Sequence, residues 1–127
     1  MTLADSTILV VDDEPVLRLT FSIVLQQAGA RVLVAEDGEQ ALRVLDHHHV
    51  DAILTDKQMP NMDGLTLLER LRERGVTAPA IFFVNGIVPE ERANLARLGV
   101  ARTVTKPLHP TDLTRILQTI LEPLPAR

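Results

Sequence analysis

Five times along this chain a short apolar run rich in β-branched residues gives way to a longer segment whose apolar positions recur at helical spacing. That alternation constrains the fold more than any other feature, because near-continuous apolar strands need helices on both faces of a parallel sheet. Ile8-Leu9-Val10-Val11 reads as the first strand. Pro15 then opens a helix with Leu17, Phe21, Val24, Leu25 and Ala28 on one face, and Gly29 ends it. Arg31 to Ala35 is the second strand, followed by a helix from Glu39 to about His48 with Ala41, Val44 and Leu45 inward. Ile53-Leu54-Thr55 is the third strand, and after a loop from Lys57 to Asp63 a helix from Gly64 to Arg74 presents Leu67, Leu68 and Leu71. Ala80 to Val84 is the fourth strand, with a weakly amphipathic helix from about Pro89 to Leu98 behind it. Thr103-Val104-Thr105 is the fifth strand, and Pro110 opens a last helix carrying Leu113, Ile116, Leu117, Ile120 and Leu121.

Five such units predict an α/β fold, a doubly wound (βα)5 sheet of five parallel strands in the flavodoxin-like order 2-1-3-4-5 with helices on both faces. The 127 residues suit one domain over 1–127, with a core from about 7 to 121 and a C-terminal tail over 122–127. A 46% hydrophobic content is enough to fill one core. No apolar stretch is long enough to cross a bilayer, and Met1-Thr2-Leu3-Ala4-Asp5 lacks the basic and apolar regions of a signal peptide, so a cytoplasmic location away from membranes is expected. Without Cys there is no disulfide framework and no thiolate chemistry. A net charge of -4, scattered cations, three Phe and no Tyr or Trp argue against direct nucleic-acid binding.

Asp12, Asp13, Asp56 and Lys106 each follow directly on a predicted strand. Doubly wound sheets bind ligands at the carboxyl ends of their strands, where strand order reverses, and here that point lies between the first and third strands. Three carboxylates brought together repel, and a divalent cation resolves the conflict; an oxygen-only donor set suits Mg²⁺, with Mn²⁺ as a substitute. A carboxylate can also act as nucleophile toward phosphorus when the charge on the transferring group is neutralised, and Lys106 can supply part of that neutralisation. Taken alone, Asp12 and Asp13 also read as a strand-to-helix turn with a capping carboxylate. Asp63-Gly64 reads as a turn opening a helix, Lys57 as a solvated loop charge, and His47-His48-His49 as a solvated helix end, since adjacent helical residues point in different directions.

Val10-Val11-Asp12-Asp13-Glu14-Pro15, Leu54-Thr55-Asp56-Lys57-Gln58-Met59-Pro60, Met62-Asp63-Gly64 and Thr105-Lys106-Pro107-Leu108 resemble the signature segments of two-component response-regulator receiver domains. The resemblance covers about residues 7 to 121 and implies a role for each matching position. Asp56 is then the phosphoacceptor, Asp12 and Asp13 the acidic pair organising Mg²⁺, and the Gln58 backbone carbonyl a further metal ligand. Lys106 contacts the phosphoryl group, and Lys106-Pro107 is a cis peptide, plausible only because its second residue is Pro. The resemblance also implies a histidine kinase or histidine phosphotransfer protein as donor and a downstream protein target. Signalling, with possible dimerisation, would use the face formed by the fourth helix, fifth strand and fifth helix. Such a domain is a phosphoacceptor with slow self-phosphorylation and self-dephosphorylation rather than an enzyme.

Three positions depart from the family pattern. Val84 stands where a Thr or Ser hydroxyl usually bonds the phosphoryl oxygen, followed by Asn85 where a small residue is usual, and Thr103 replaces the usual aromatic of the fifth strand. Val has nearly the shape of Thr but donates no hydrogen bond; Asn85 is an alternative donor. The acceptor chemistry is therefore expected, with an altered relay. The competing reading is a receiver-like interaction module that works by contact without phosphorylation. An Asp-nucleophile phosphatase fits less well, because its general acid position two residues on is Gln58, and a flavin carrier lacks both a phosphate loop and a stacking aromatic.

Overall fold

The computed structural model describes residues 3–84, 89–105 and 109–121. Its elements follow in the order β1 (Thr7–Val11), α1 (Pro15–Gln27), β2 (Arg31–Ala35), α2 (Gly38–His47), β3 (Ala52–Asp56), α3 (Gly64–Glu73), β4 (Ala80–Val84), α4 (Pro89–Arg97), β5 (Val100–Thr105) and α5 (Pro110–Leu121). All strand pairs are parallel and the sheet order is β2-β1-β3-β4-β5, as the sequence pattern requires. The tail from Glu122 to Arg127 lies outside the described residues.

The strand pleat divides the core in two. Leu9, Val11, Ile53, Phe82 and Val84 face Leu42 of α2, Leu67, Leu68 and Leu71 of α3, and Leu95 of α4. Ile8, Val10, Leu54, Ile81 and Phe83 face Phe21 and Leu25 of α1 and Leu113 and Leu117 of α5. Phe21 and Phe83 stack with ring centroids 5.0 Å apart. Leu3, 2% exposed, joins this second layer and donates its N–H to the Ala28 carbonyl at 2.8 Å, so the packing includes residues ahead of β1.

Strand β5 differs most from its sequence expectation, beginning at Val100 rather than Thr103. A register irregularity opposite Ala80 and Ile81 accommodates the extra length, pairing Ala80 with Val100 and Ile81 with Arg102. As an edge strand, β5 is defined by backbone pairing with β4, and its exposed Ala101 and Arg102 carry none of the apolar signal that marks the inner strands.

Candidate functional site

Strands β1 and β3 are neighbours with Val11 opposite Thr55, so Asp12 and Asp56 leave the sheet side by side at the point where strand order reverses. One carboxylate oxygen from each of Asp12, Asp13 and Asp56 lies within 4.8 Å of the others. Asp12 is 1% exposed and Asp56 7%, whereas Asp13 stands exposed at the mouth. At an effective dielectric of about 20, two carboxylate charges this close repel by roughly 3 kcal/mol. A divalent cation turns that repulsion into attraction, and three oxygen donors suit a hard ion. The cluster is capable of coordinating a divalent metal such as Mg²⁺.

Several local bonds fix these carboxylates. The Asp12 N–H donates to the Ala35 carbonyl at 3.1 Å, continuing the β1–β2 pairing by one residue. Its Oδ1 accepts the Glu14 N–H at 2.9 Å, and its carbonyl accepts a guanidinium N–H of Arg18 at 2.7 Å. Asp12 thus shapes the strand-to-helix turn as well as the cluster, while Glu14, the N-cap residue of α1, makes no side-chain cap bond. Asp56 Oδ1 accepts the Gln58 N–H at 3.2 Å, which places exposed Gln58 directly beyond Asp56.

The loop after β3 is pinned at both ends. Asp63 caps α3 by accepting the Thr66 N–H at 2.8 Å, as a turn opening a helix should. Gly64 does more than enter the helix. Its N–H donates to the Lys57 carbonyl at 2.8 Å, and a Cβ there would stand 2.6 Å from the Asp56 carbonyl oxygen. Met62 packs on Gly38, where an added Cβ would meet its sulfur at 2.8 Å, so the loop also rests on the start of α2. Neither contact is signalled in the sequence beyond the glycine itself.

Lys57 corrects its sequence reading. Rather than a solvated loop charge, its ammonium is ion-paired with Glu91 of α4, with the two side chains 20% and 26% exposed. A Lys beside Asp56 reads as loop charge until the fold brings an acid from the fourth helix against it. His47, His48 and His49 are exposed as expected, and among the described residues they form no metal-binding group with other ligand side chains.

Val84 ends β4 with 2% exposure, its side chain in the layer facing α2, α3 and α4. Thr103 is half-buried in β5 opposite Phe82. Asn85, Lys106 and Pro107 lie outside the described residues. No helix among the described residues is long and apolar enough to cross a membrane.

The arrangement matches known proteins closely. The family profile of the response regulator receiver domain matches residues 8–118. Sensor histidine kinase RcsC of Escherichia coli is 38% identical over 104 residues, covering 82% of this chain and 11% of that protein, so the chain spans about a ninth of this relative's length. An uncharacterized 14.6 kDa protein of Leptolyngbya boryana is 39% identical over 119 residues, covering 92% of this chain and 91% of that protein. Among solved structures, the receiver domain of a Pseudomonas aeruginosa sensor histidine kinase, with a magnesium ion coordinated in its active site cleft, superposes with a TM-score of 0.80 at 32% identity, covering 94% of this chain and all of that one.

Proposed function

Because this chain belongs to the response-regulator receiver family, whose members accept phosphoryl groups with limited turnover of their own, we propose that Asp56 takes a phosphoryl group from a phosphohistidine in a Mg²⁺-dependent reaction. The observation that carries the proposal is the buried Asp56 carboxylate held at the sheet's reversal point within 4.8 Å of Asp12 and Asp13. A lone pair on an Asp56 carboxylate oxygen attacks phosphorus, a P–O bond forms as the P–N bond breaks, and the leaving imidazole keeps that electron pair and takes up a proton. Asp12, Asp13, Asp56 and the Gln58 carbonyl would hold a divalent cation, which would supply positive charge against the phosphoryl oxygens. Lys106, which follows β5 directly in the sequence, adds a second positive charge. Attack of water on the aspartyl phosphate releases inorganic phosphate and restores the carboxylate.

The donor is a histidine kinase or a histidine phosphotransfer protein, a reading supported by the similarity to kinase-borne receiver segments. The whole chain acts as one receiver domain. Its output runs through the α4-β5-α5 face to a downstream protein or a second copy. A groove of about 480 Å³ between β5 and α5, lined by Thr103, Thr105, Asp112 and Arg115, supports a contact surface where the family's aromatic is missing. Val84 and Thr103 also favour a second reading, a contact module indifferent to phosphate, because a buried Val cannot donate to a phosphoryl oxygen. To separate the readings, the protein is incubated with phosphoramidate, a P–N donor, and Mg²⁺, then reduced with borohydride and mapped by peptide mass. The phosphoacceptor reading expects homoserine at position 56; unmodified Asp56 throughout would favour the contact module.

A further inference from the structure

We propose that the Lys57–Glu91 ion pair is a charge latch that couples the acceptor to α4, and that phosphorylation of Asp56 opens it. The proposal rests on Asp56 being the acceptor. Lys57 is the next residue along the chain, and its backbone is fixed by its N–H donating to the Phe83 carbonyl at 3.0 Å and by its carbonyl accepting the Gly64 N–H at 2.8 Å. Only the four-carbon side chain is left to respond, and its ammonium is a mobile point charge.

Helix α4 is held unevenly. Its C-terminal half is anchored by Leu95 and Leu98, each 3% exposed, and by Arg72 of α3, whose Nε–H donates to the Leu98 carbonyl at 2.7 Å. Toward its N-terminal half, Arg92 and Ala93 are exposed, and Glu91 reaches back to Lys57, just beyond β3. Among the described residues, apolar burial thus anchors one end of α4, and a partly buried charge pair ties the other to Lys57.

Transfer of a phosphoryl group converts the Asp56 carboxylate, with one negative charge, into an acyl phosphate with about two, and adds acceptor oxygens. That extra charge, one residue from Lys57, competes with the single Glu91 carboxylate for the ammonium. When Lys57 turns, Glu91 is left without that cation, and the N-terminal half of α4 loosens while its C-terminal half stays anchored. The route needs neither the hydroxyl missing at Val84 nor the aromatic missing at Thr103.

The test is amide hydrogen exchange across residues 91–97 before and after phosphoramidate and Mg²⁺, with adduct occupancy measured on the same samples by intact mass. In the wild type, phosphorylation should speed this exchange by about fivefold, the upper range for one such pair. Glu91→Gln should exchange at the faster level at rest and change less than about twofold on phosphorylation. The reversed pair, Lys57→Glu with Glu91→Lys, should be protected at rest like the wild type, because the ion pair is rebuilt, yet should not open when charge is added at Asp56. That last arm separates a latch from an ion pair that merely steadies the helix. Wild-type protein that carries the adduct with α4 exchange unchanged, or a phosphorylated Glu91→Gln that opens as far as the wild type, would overturn the latch and leave the acceptor reading standing. Absence of adduct in every arm would overturn the acceptor reading and the latch with it.

Discussion

Gly64 decides the geometry of the acceptor although it carries no chemistry. At the first position of α3, Ala should ordinarily stabilise the helix by about 0.5–1 kcal/mol over Gly. Here the added Cβ would stand 2.6 Å from the Asp56 carbonyl oxygen, so the sign reverses. We expect Gly64→Ala to cost about 1–3 kcal/mol in urea unfolding, the usual range for overpacking. It should also slow labelling of Asp56 by roughly tenfold, since the acceptor's own backbone must move. Arg72 is a second residue whose role is invisible before folding. Its guanidinium donates to the Leu98 and Val76 carbonyls at 2.7 and 2.8 Å, and burial lowers its pKa. Arg72→Met keeps most of the stem but removes both charged bonds, and should cost about 2–4 kcal/mol. Because a guanidinium stays protonated well above neutrality, the loss measured by denaturant unfolding should be flat across roughly pH 5 to 9. Asp12, Asp13 and Asp56 were legible because each stands at the end of an apolar run. Arg72 and Lys57 were not, because their partners are 26 and 34 positions away in sequence, on or just beyond α4.

Among the elements, β4 and β5 carry the departures from the family pattern at Val84 and Thr103. Val84→Thr restores the hydroxyl but places it at a position with 2% exposure, facing apolar side chains, so the unphosphorylated protein should lose about 1–3 kcal/mol. With beryllofluoride and Mg²⁺ as a phosphoryl mimic, backbone chemical shifts in β5 around Thr103 should change little, because neither the hydroxyl nor the aromatic that would link them is present. Large shifts spreading through Thr103 would show a relay that Val84 does not interrupt. The inner elements were readable from sequence because apolar content and burial coincide in β1, β3 and β4. The edge was less so. Arg102 belongs to β5 by backbone pairing alone, with Ala101 the extra residue at the register irregularity, and α4 shows only Leu95 and Leu98 as buried apolar anchors among its described residues and the turn after it.

At the scale of the molecule, the fold gathers carboxylates that the unfolded chain keeps apart, and a bound cation offsets that repulsion. Thermal stability should therefore rise with Mg²⁺: at about a hundredfold excess over Kd the gain is about 2.7 kcal/mol, or roughly 5 °C or more for a domain of this size. Asp13→Asn should melt higher than the wild type without metal, because one repelling charge is gone, and should lose most of the Mg²⁺ response. Equal melting curves with and without Mg²⁺ would remove the cluster's role as a metal centre. The strand order and the meeting of Asp12, Asp13 and Asp56 followed from topology, whereas the support from Arg18, Gly64 and Met62 depends on side-chain placement that no spacing rule encodes. Everything proposed for this chain depends on Asp56 being a metal-dependent phosphoacceptor. Intact mass after phosphoramidate and Mg²⁺, beside a metal-free sample and Asp56→Asn, tests it most directly. The wild type with Mg²⁺ should gain one phosphoryl group, and neither control should gain any. The same adduct on Asp56→Asn, or none on wild-type protein that binds Mg²⁺, would contradict it.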